Sequence, residues 1–222
     1  MSVSRTSKLL SQLDQHFGKC AVLAAAGVGA GMASAPQSVE AAIVHNAAAN
    51  LTIASTTNGL YLNVVTGAIN EPGNTGGGSV PGWDINPWSS SALNYFNPAA
   101  PAGGVYVQRA GGGATANLPA GTLIDGASLY GNSAASTTGA TPHLLNSDQN
   151  LIGFRFLDEA AQCVKFGWGR ISLSTSLFAQ PRTLVEYAYE SECGVGIPAG
   201  VPEPGSLALL ALGAAGLIRR RK

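Results

Sequence analysis

Charge is what this chain has least of. Only 11% of its 222 residues are Asp, Glu, Lys or Arg, less than half the ~25% of an average globular protein. The cations it does have are gathered at the ends: Arg5, Lys8 and Lys19 at the front, Arg219, Arg220, Arg221 and Lys222 at the back. Between residues 42 and 201 five cations face nine carboxylates, so that body is net acidic. No basic stripe remains to displace counter-ions from phosphates, which argues against a nucleic-acid partner.

Cysteine and histidine are scarce as well. Of three each, Cys20 and His16 lie within the first twenty residues, leaving Cys163, Cys193, His45 and His143. No Cys-x-x-Cys or His-x-x-x-His spacing occurs, so neither a metal site nor a cofactor is expected. No Gly-x-Ser-x-Gly occurs, and the histidines stand apart from any nucleophile. Asp158 and Glu159 are adjacent carboxylates in "LDEA". On a strand they would point to opposite faces, a poor glycosidase pair, and a solvated turn is the better reading. No catalytic residue is expected, and a hydrolase is the third choice.

Glycine, by contrast, is abundant, 29 of 222, about twice the usual ~7%. That suits short strands and many turns rather than long helices. Period-2 alternation predicts strands at 51–55, 59–67, 104–109, 121–126, 150–158, 163–174 and 183–191, with loops at 70–82, 110–121 and 131–142. The fold class is all-β, an antiparallel β-sandwich or barrel over 42–197. Residues 194–205 read as a linker.

One hairpin can be written residue by residue. Folding Cys163–Cys193 about Phe178 sets Cys163 opposite Cys193, Arg170 opposite Glu186 and Ile171 opposite Val185. It also sets Gly167 and Gly169 opposite Tyr189 and Tyr187, whose rings would cover the bare glycines. Two cysteines in an exported chain read as a disulfide.

Both ends carry addresses. Met1–Lys19 is polar with three cations, and "CAVLAAAGVGAGMASA" is uncharged. Val39 and Ala41 are acceptable −3 and −1 residues for cleavage before Ala42, so 1–41 is a signal peptide. Ala33-Ser34-Ala35 also fits, with Pro36 disfavouring a cut there. At the other end, 198–222 holds Pro202-Glu203-Pro204, the apolar run Leu207–Ile218 and then "RRRK". Twelve apolar residues fall short of the ~20 that cross a bilayer comfortably. The terminal cations should stay cytoplasmic, leaving the body outside. Two prolines hold the tripeptide extended, as a protease requires.

This three-part tail resembles the PEP-CTERM sorting signal of Gram-negative exopolysaccharide producers. The resemblance implies an exosortase that recognises the tail and cuts near Pro-Glu-Pro. It also implies a precursor held in the inner membrane by a short C-terminal transmembrane helix, and a product at the cell surface or outside. The stretch "IGFRFLDEAAQCVKFGWGRISLS" with "LVEYAYE" resembles a "GF-F", "YGW", "YAYE" pattern of such passengers, with Phe166 where Tyr is usual. It implies a β-sandwich, lectin-like or jelly-roll in kind.

One stretch could bind sugar. "PGWDINPWSSSALNYFNP" gathers Trp83, Asp84, Asn86, Trp88, Asn94 and Tyr95 beside Phe96. Rings stack on sugar faces while Asp and Asn bond hydroxyls; the competing reading is that Trp83 and Phe96 pin a loop to the core. The functional expectation is a non-enzymatic protein of the envelope or exopolysaccharide matrix. The alternative is a polysaccharide-binding module using 81–98.

Overall fold

The computed structural model describes residues 42–70, 76–98, 102–108 and 113–201. The expected signal peptide (1–41) and the tail residues from Pro202 onward, including Glu203, Pro204, Leu207–Ile218, Arg219, Arg220, Arg221 and Lys222, lie outside them. Among the described residues the secondary structure is antiparallel β throughout, apart from one 3₁₀ turn at Gly77–Ser79.

The strands are β1 (Ile43–Asn46), β2 (Leu51–Thr52), β3 (Asn86–Trp88), β4 (Asn94–Phe96), β5 (Gly104–Tyr106) and β6 (Leu123–Ile124). They continue with β7 (Tyr130–Gly131), β8 (Ser133–Ala134), β9 (Ser147–Asp158), β10 (Cys163–Leu173), β11 (Thr183–Glu190) and β12 (Ile197–Pro198). The main sheet runs β1-β11-β10-β9-β5-β7, with β2 also on β11; β3-β4-β8 and β12-β6 form two smaller sheets.

Alternation along β9 explains the layers. Ile152, Phe154 and Phe156 point to one face and join Leu60, Leu62, Ile85, Leu93 and Tyr95 in the larger core. Leu151 points to the other face, where Phe166, Trp168 and Ala188 meet Leu118, Ile124, Ile197 and Ala199. The second layer comes so close that a Cβ on Gly153 would lie 2.9 Å from Ile124 Cδ1. The main sheet is thus covered on both faces, by β3-β4-β8 with its flanking loops and by β12-β6.

The long hairpin forms in the expected register up to a bulge. Gly167 pairs Tyr189, Gly169 pairs Tyr187 and Arg170 pairs Glu186, but Ile171 pairs Leu184 instead of Val185. Val185 is the extra residue, and its carbonyl accepts the Asn50 N–H entering beside β2 (3.1 Å). The atoms nearest the glycines are not those of the two tyrosine rings. A Cβ on Gly167 would meet Phe154 Cε2 at 2.6 Å, and one on Gly169 would meet Leu184 Cδ1 at 2.9 Å. The rings and methyls come from the neighbouring strand and the diagonal position.

Cys163 and Cys193 form the expected disulfide, with Cα atoms 5.7 Å apart across 30 residues of chain. In a chain-entropy view such a loop contributes about 3.5 kcal/mol, less here because the hairpin already restrains its ends. Alkylation of unreduced exported protein is expected to label no cysteine in 42–201. Two labelled thiols would show that the bridge does not form.

Three expectations need correction. Residues 59–67 are not a strand: Leu62 makes only isolated bridges, to Ile69 and Ile85. There the Asn63 side chain accepts the Val65 and Thr66 N–H groups and closes a turn. Residues 194–200 are not linker, since Ile197 pairs Ile124 and both Ile197 and Ala199 are fully buried. Asp158 is not solvated but buried against Lys165.

One residue joins the layers. Arg182, 0% exposed, points all five N–H donors at backbone carbonyls. Nε reaches Ile53, Nη1 reaches Ala92 and Leu177, and Nη2 reaches Ala54 and Ser89, all within 2.7–2.9 Å. No carboxylate takes part. Burial lowers the guanidinium's pKa from its usual value.

Candidate functional site

The 81–98 stretch folds as β3 and β4 with their flanks, and its polar groups mostly turn inward. Asp84 is 3% exposed and its Oδ2 accepts the Val64 N–H at 2.7 Å. Asn86 is buried and donates to the Asn58 carbonyl (2.7 Å). Tyr95 is buried in the larger core, and burial raises its hydroxyl's pKa far above the usual value. These three are committed to the interior, so the six expected sugar-binding residues do not share one surface.

What remains outside is aromatic. Trp83 is half-buried, edge-on to Tyr61 (ring centroids 4.9 Å) and tilted against Phe96 (5.3 Å). Phe96 is 44% exposed. A Cβ on Gly77 would come within 2.6 Å of Tyr61, so the 3₁₀ turn packs tightly against this group. The β3–β4 register sets Trp88 opposite Asn94 and Asn86 opposite Phe96. Period 2 therefore places Trp88, Asn94 and Phe96 on the face opposite Tyr95. Trp88 and Asn94 are half-buried. Tyr61 and Phe96 belong to this row but were not among the six candidates; Tyr61 lies twenty residues upstream, beyond the reach of local pattern.

Clefts open on the described surface. One, about 490 Å³, lies between Val44, Asn46, Tyr187, Tyr189 and the 64–67 turn. A second, about 310 Å³, lies between Asn63, Thr66, Gly82 and the Asp158–Ala160 turn. Near the second, carboxylates differ in character. Lys165, 2.7 Å from Asp158 Oδ2, holds that carboxyl below the usual range against the effect of burial, helped by the Ala160 and Ala161 N–H groups. Burial pushes Asp84 up to about 8; the Val64 N–H opposes this, while Glu159 and Asp158 add to it. Asp84 does not line the cleft, and one of its oxygens is already taken by Val64.

The histidines are also engaged or enclosed. His45 Nε2 lies 3.0 Å from Glu186 Oε2, and Glu186 accepts Arg170 Nε at 2.6 Å. Burial raises the Glu186 pKa, but the Arg170 and His45 bonds outweigh it and leave the carboxyl below its usual value. His143, 2% exposed, has its pKa pushed down to about 4 by burial, partly opposed by the backbone bond to Ser136. Among the described residues no group of three His, Cys, Asp or Glu could hold a metal ion.

Asp84 and His143 together set a pH dependence. Folded His143 refuses a proton that the unfolded chain binds below pH ~6.5, so its contribution falls as pH drops from there to about 4. Folded Asp84 keeps a proton that the unfolded chain loses above its ordinary pKa, so its contribution falls as pH rises towards 8. The two slopes offset one another at mildly acidic pH, and Asp84 alone acts from 6.5 to 8. Over that interval the loss is about 2 kcal/mol. Urea midpoints are expected to fall between pH 6.5 and 8 for the native chain and to stay level for Asp84→Asn, which keeps the acceptor for Val64.

Comparison with known proteins speaks to the tail. A family model described as the PEP-CTERM protein-sorting motif matches residues 200–222, about a tenth of the chain. The match includes Pro202, Glu203, Pro204 and the final cations, and it supports a PEP-CTERM protein, exported and directed to exosortase. No curated protein and no solved structure matches the chain. Among the described residues no helix is long and apolar enough to cross a membrane.

Proposed function

We propose that this chain is a non-enzymatic protein of the envelope or exopolysaccharide matrix, delivered across the inner membrane and processed by exosortase at Pro202-Glu203-Pro204. The observation that carries the reading is the sorting motif at 200–222, which begins one residue after buried Ala199. Further support comes from how the body uses its polar groups. Arg182, Asn63, Asn86 and Asp84 bond backbone, and His45, Arg170, Lys165, Asp158 and Glu186 bond one another. The all-β body is read as a sandwich of lectin-like kind with one additional covering layer. Intact mass of the native exported form tests the processing: loss of the terminal "LIRRRK" is expected, and its retention would make the tail an ordinary anchor.

A second reading is favoured by the row Tyr61–Trp83–Phe96, with Asn94 and Trp88 on the adjoining strand face. Half-exposed rings offer flat faces for sugar stacking, and Asn94 offers an amide for hydroxyls. A glycan array, followed by Phe96→Ala, distinguishes the readings. Retention of an exopolysaccharide by the native chain and its loss in the variant supports a binding module. No retention leaves a structural role.

A further inference from the structure

Where β1 meets the end of β11, a carboxylate is buried without a cation. Glu190 is 4% exposed. Its Oε1 accepts the Glu192 N–H at 3.1 Å and the Ser191 hydroxyl at 3.3 Å. Among the described residues no Lys, Arg or His forms an ion pair with it. Carboxylates are almost never fully buried unless paired, because removing the charge from water costs more than hydrogen bonds alone return.

The strand opposite supplies a nitrogen. Ile43 pairs Glu190, and Ala42 is joined to Ser191 twice. The Ala42 N–H donates to Ser191 Oγ at 3.1 Å, and the Ser191 N–H donates to the Ala42 carbonyl at 2.9 Å. Ser191 Oγ therefore sits between the Ala42 nitrogen and the Glu190 carboxylate, accepting from one and donating to the other. In the precursor that nitrogen is a neutral amide.

Val39 and Ala41 make the Ala41–Ala42 bond the preferred signal-peptide cut. We propose that the exported chain begins at Ala42 and that its new α-ammonium is the counter-ion of Glu190, bridged by Ser191 Oγ. This rests on the export reading. Hydrolysis adds water across the bond, with hydroxyl going to the Ala41 carbonyl carbon and hydrogen to the Ala42 nitrogen. The amine then takes a proton from solvent, since its pKa of ~7.7–8.0 keeps it mostly charged at neutral pH. One uncharged donor becomes three charged ones. The first keeps Ser191, and the added donors are available to the Glu190 carboxylate through charge-assisted bonds, about twice as strong as neutral ones. Removal of the leader thereby tightens the closure of β1 onto β11.

The test uses protein exported from the full-length gene. N-terminal sequencing is expected to read Ala-Ile-Val-His-Asn. A start at Pro36 overturns the proposal while leaving export intact, and a start at Met1 overturns export as well. The α-amine is then capped selectively with 2-pyridinecarboxaldehyde and thermal midpoints are compared. Capping is expected to lower the native midpoint by about 3–6 °C and that of Glu190→Gln by under about 1 °C. Equal drops in both overturn the proposal. If Glu190→Gln does not fold, Ser191→Ala replaces it: a drop clearly smaller than the native one supports the bridge, and an equal drop refutes it.

Discussion

Arg182→Lys is expected to lower the melting temperature by about 10 °C or more. The native guanidinium satisfies five carbonyls from three separate stretches of chain: Ile53 and Ala54, Ser89 and Ala92, and Leu177. A lysine ammonium has three donors at one point and cannot span that set. At least two buried carbonyls lose their partner. Hydrogen bonds to a charged group contribute about 1.5–3 kcal/mol each, and an orphaned buried acceptor costs about 1–3 kcal/mol. The total exceeds about 4 kcal/mol, a large part of the ~5–15 kcal/mol that holds a domain together. Arg182→Met, which fills the space and satisfies nothing, is expected to be worse. Circular dichroism melts of the exported protein decide it. A lysine variant melting within 3 °C of the native chain would mean that water reaches these carbonyls.

Replacing Pro202 and Pro204 with alanine is expected to stop maturation almost completely. Each proline blocks helix at and just before its own position. Alanine removes both blocks and is the best helix former. A helix through the apolar segment, which the sorting-signal resemblance implies, is then free to continue upstream over the cleavage site. The double variant should accumulate as full-length, membrane-associated precursor that still carries "LIRRRK". Fractionation and mass spectrometry of cells with exosortase measure this. Normal release of a trimmed product would show that the prolines do not matter to recognition.

Much of the hairpin was legible because its constraints are local and redundant. A covalent pair, an ion pair and two glycine–tyrosine positions agree on one register, and that register holds from Gly167 to Arg170. It fails at Ile171 because Asn50, more than a hundred residues away, claims the Val185 carbonyl. The alternation Leu60, Leu62, Val64 correctly marked three core residues. It did not mark a strand, since alternation reports which way side chains point and not which backbone they bond. Residues 194–200 look like linker by composition, yet Ile197 pairs Ile124 and is buried in the same cluster as Trp168, which no local pattern reveals. Arg182 was illegible for the same reason: its five acceptors come from elsewhere in the chain. In 81–98 the composition was visible but the orientation was not. Asp84 and Tyr95 face the interior, while Asn86, on the same face as Phe96, is buried with its amide on the Asn58 carbonyl.

Ala199 is fully buried, and Gly200, with φ of +66°, still packs on Leu151. Only Val201 separates that anchored point from Pro202. Six residues, 201–206, lie between Gly200 and the apolar run at Leu207, a line of at most about 24 Å at ~3.4 Å per residue. In the membrane-held precursor proposed above, a folded body on so short a line stays near the bilayer until its tail is cut. The part of the body that leads into that line is β12–β6, where exposed Leu123 stands in register with Pro198. On the proposed route the sorting enzyme works between a folded domain and the membrane, or cuts before that end of the sheet has closed. Lengthening the line with a few glycines after Val201 distinguishes the two: faster trimming means the gap limits the enzyme, and an unchanged rate means the cut comes first.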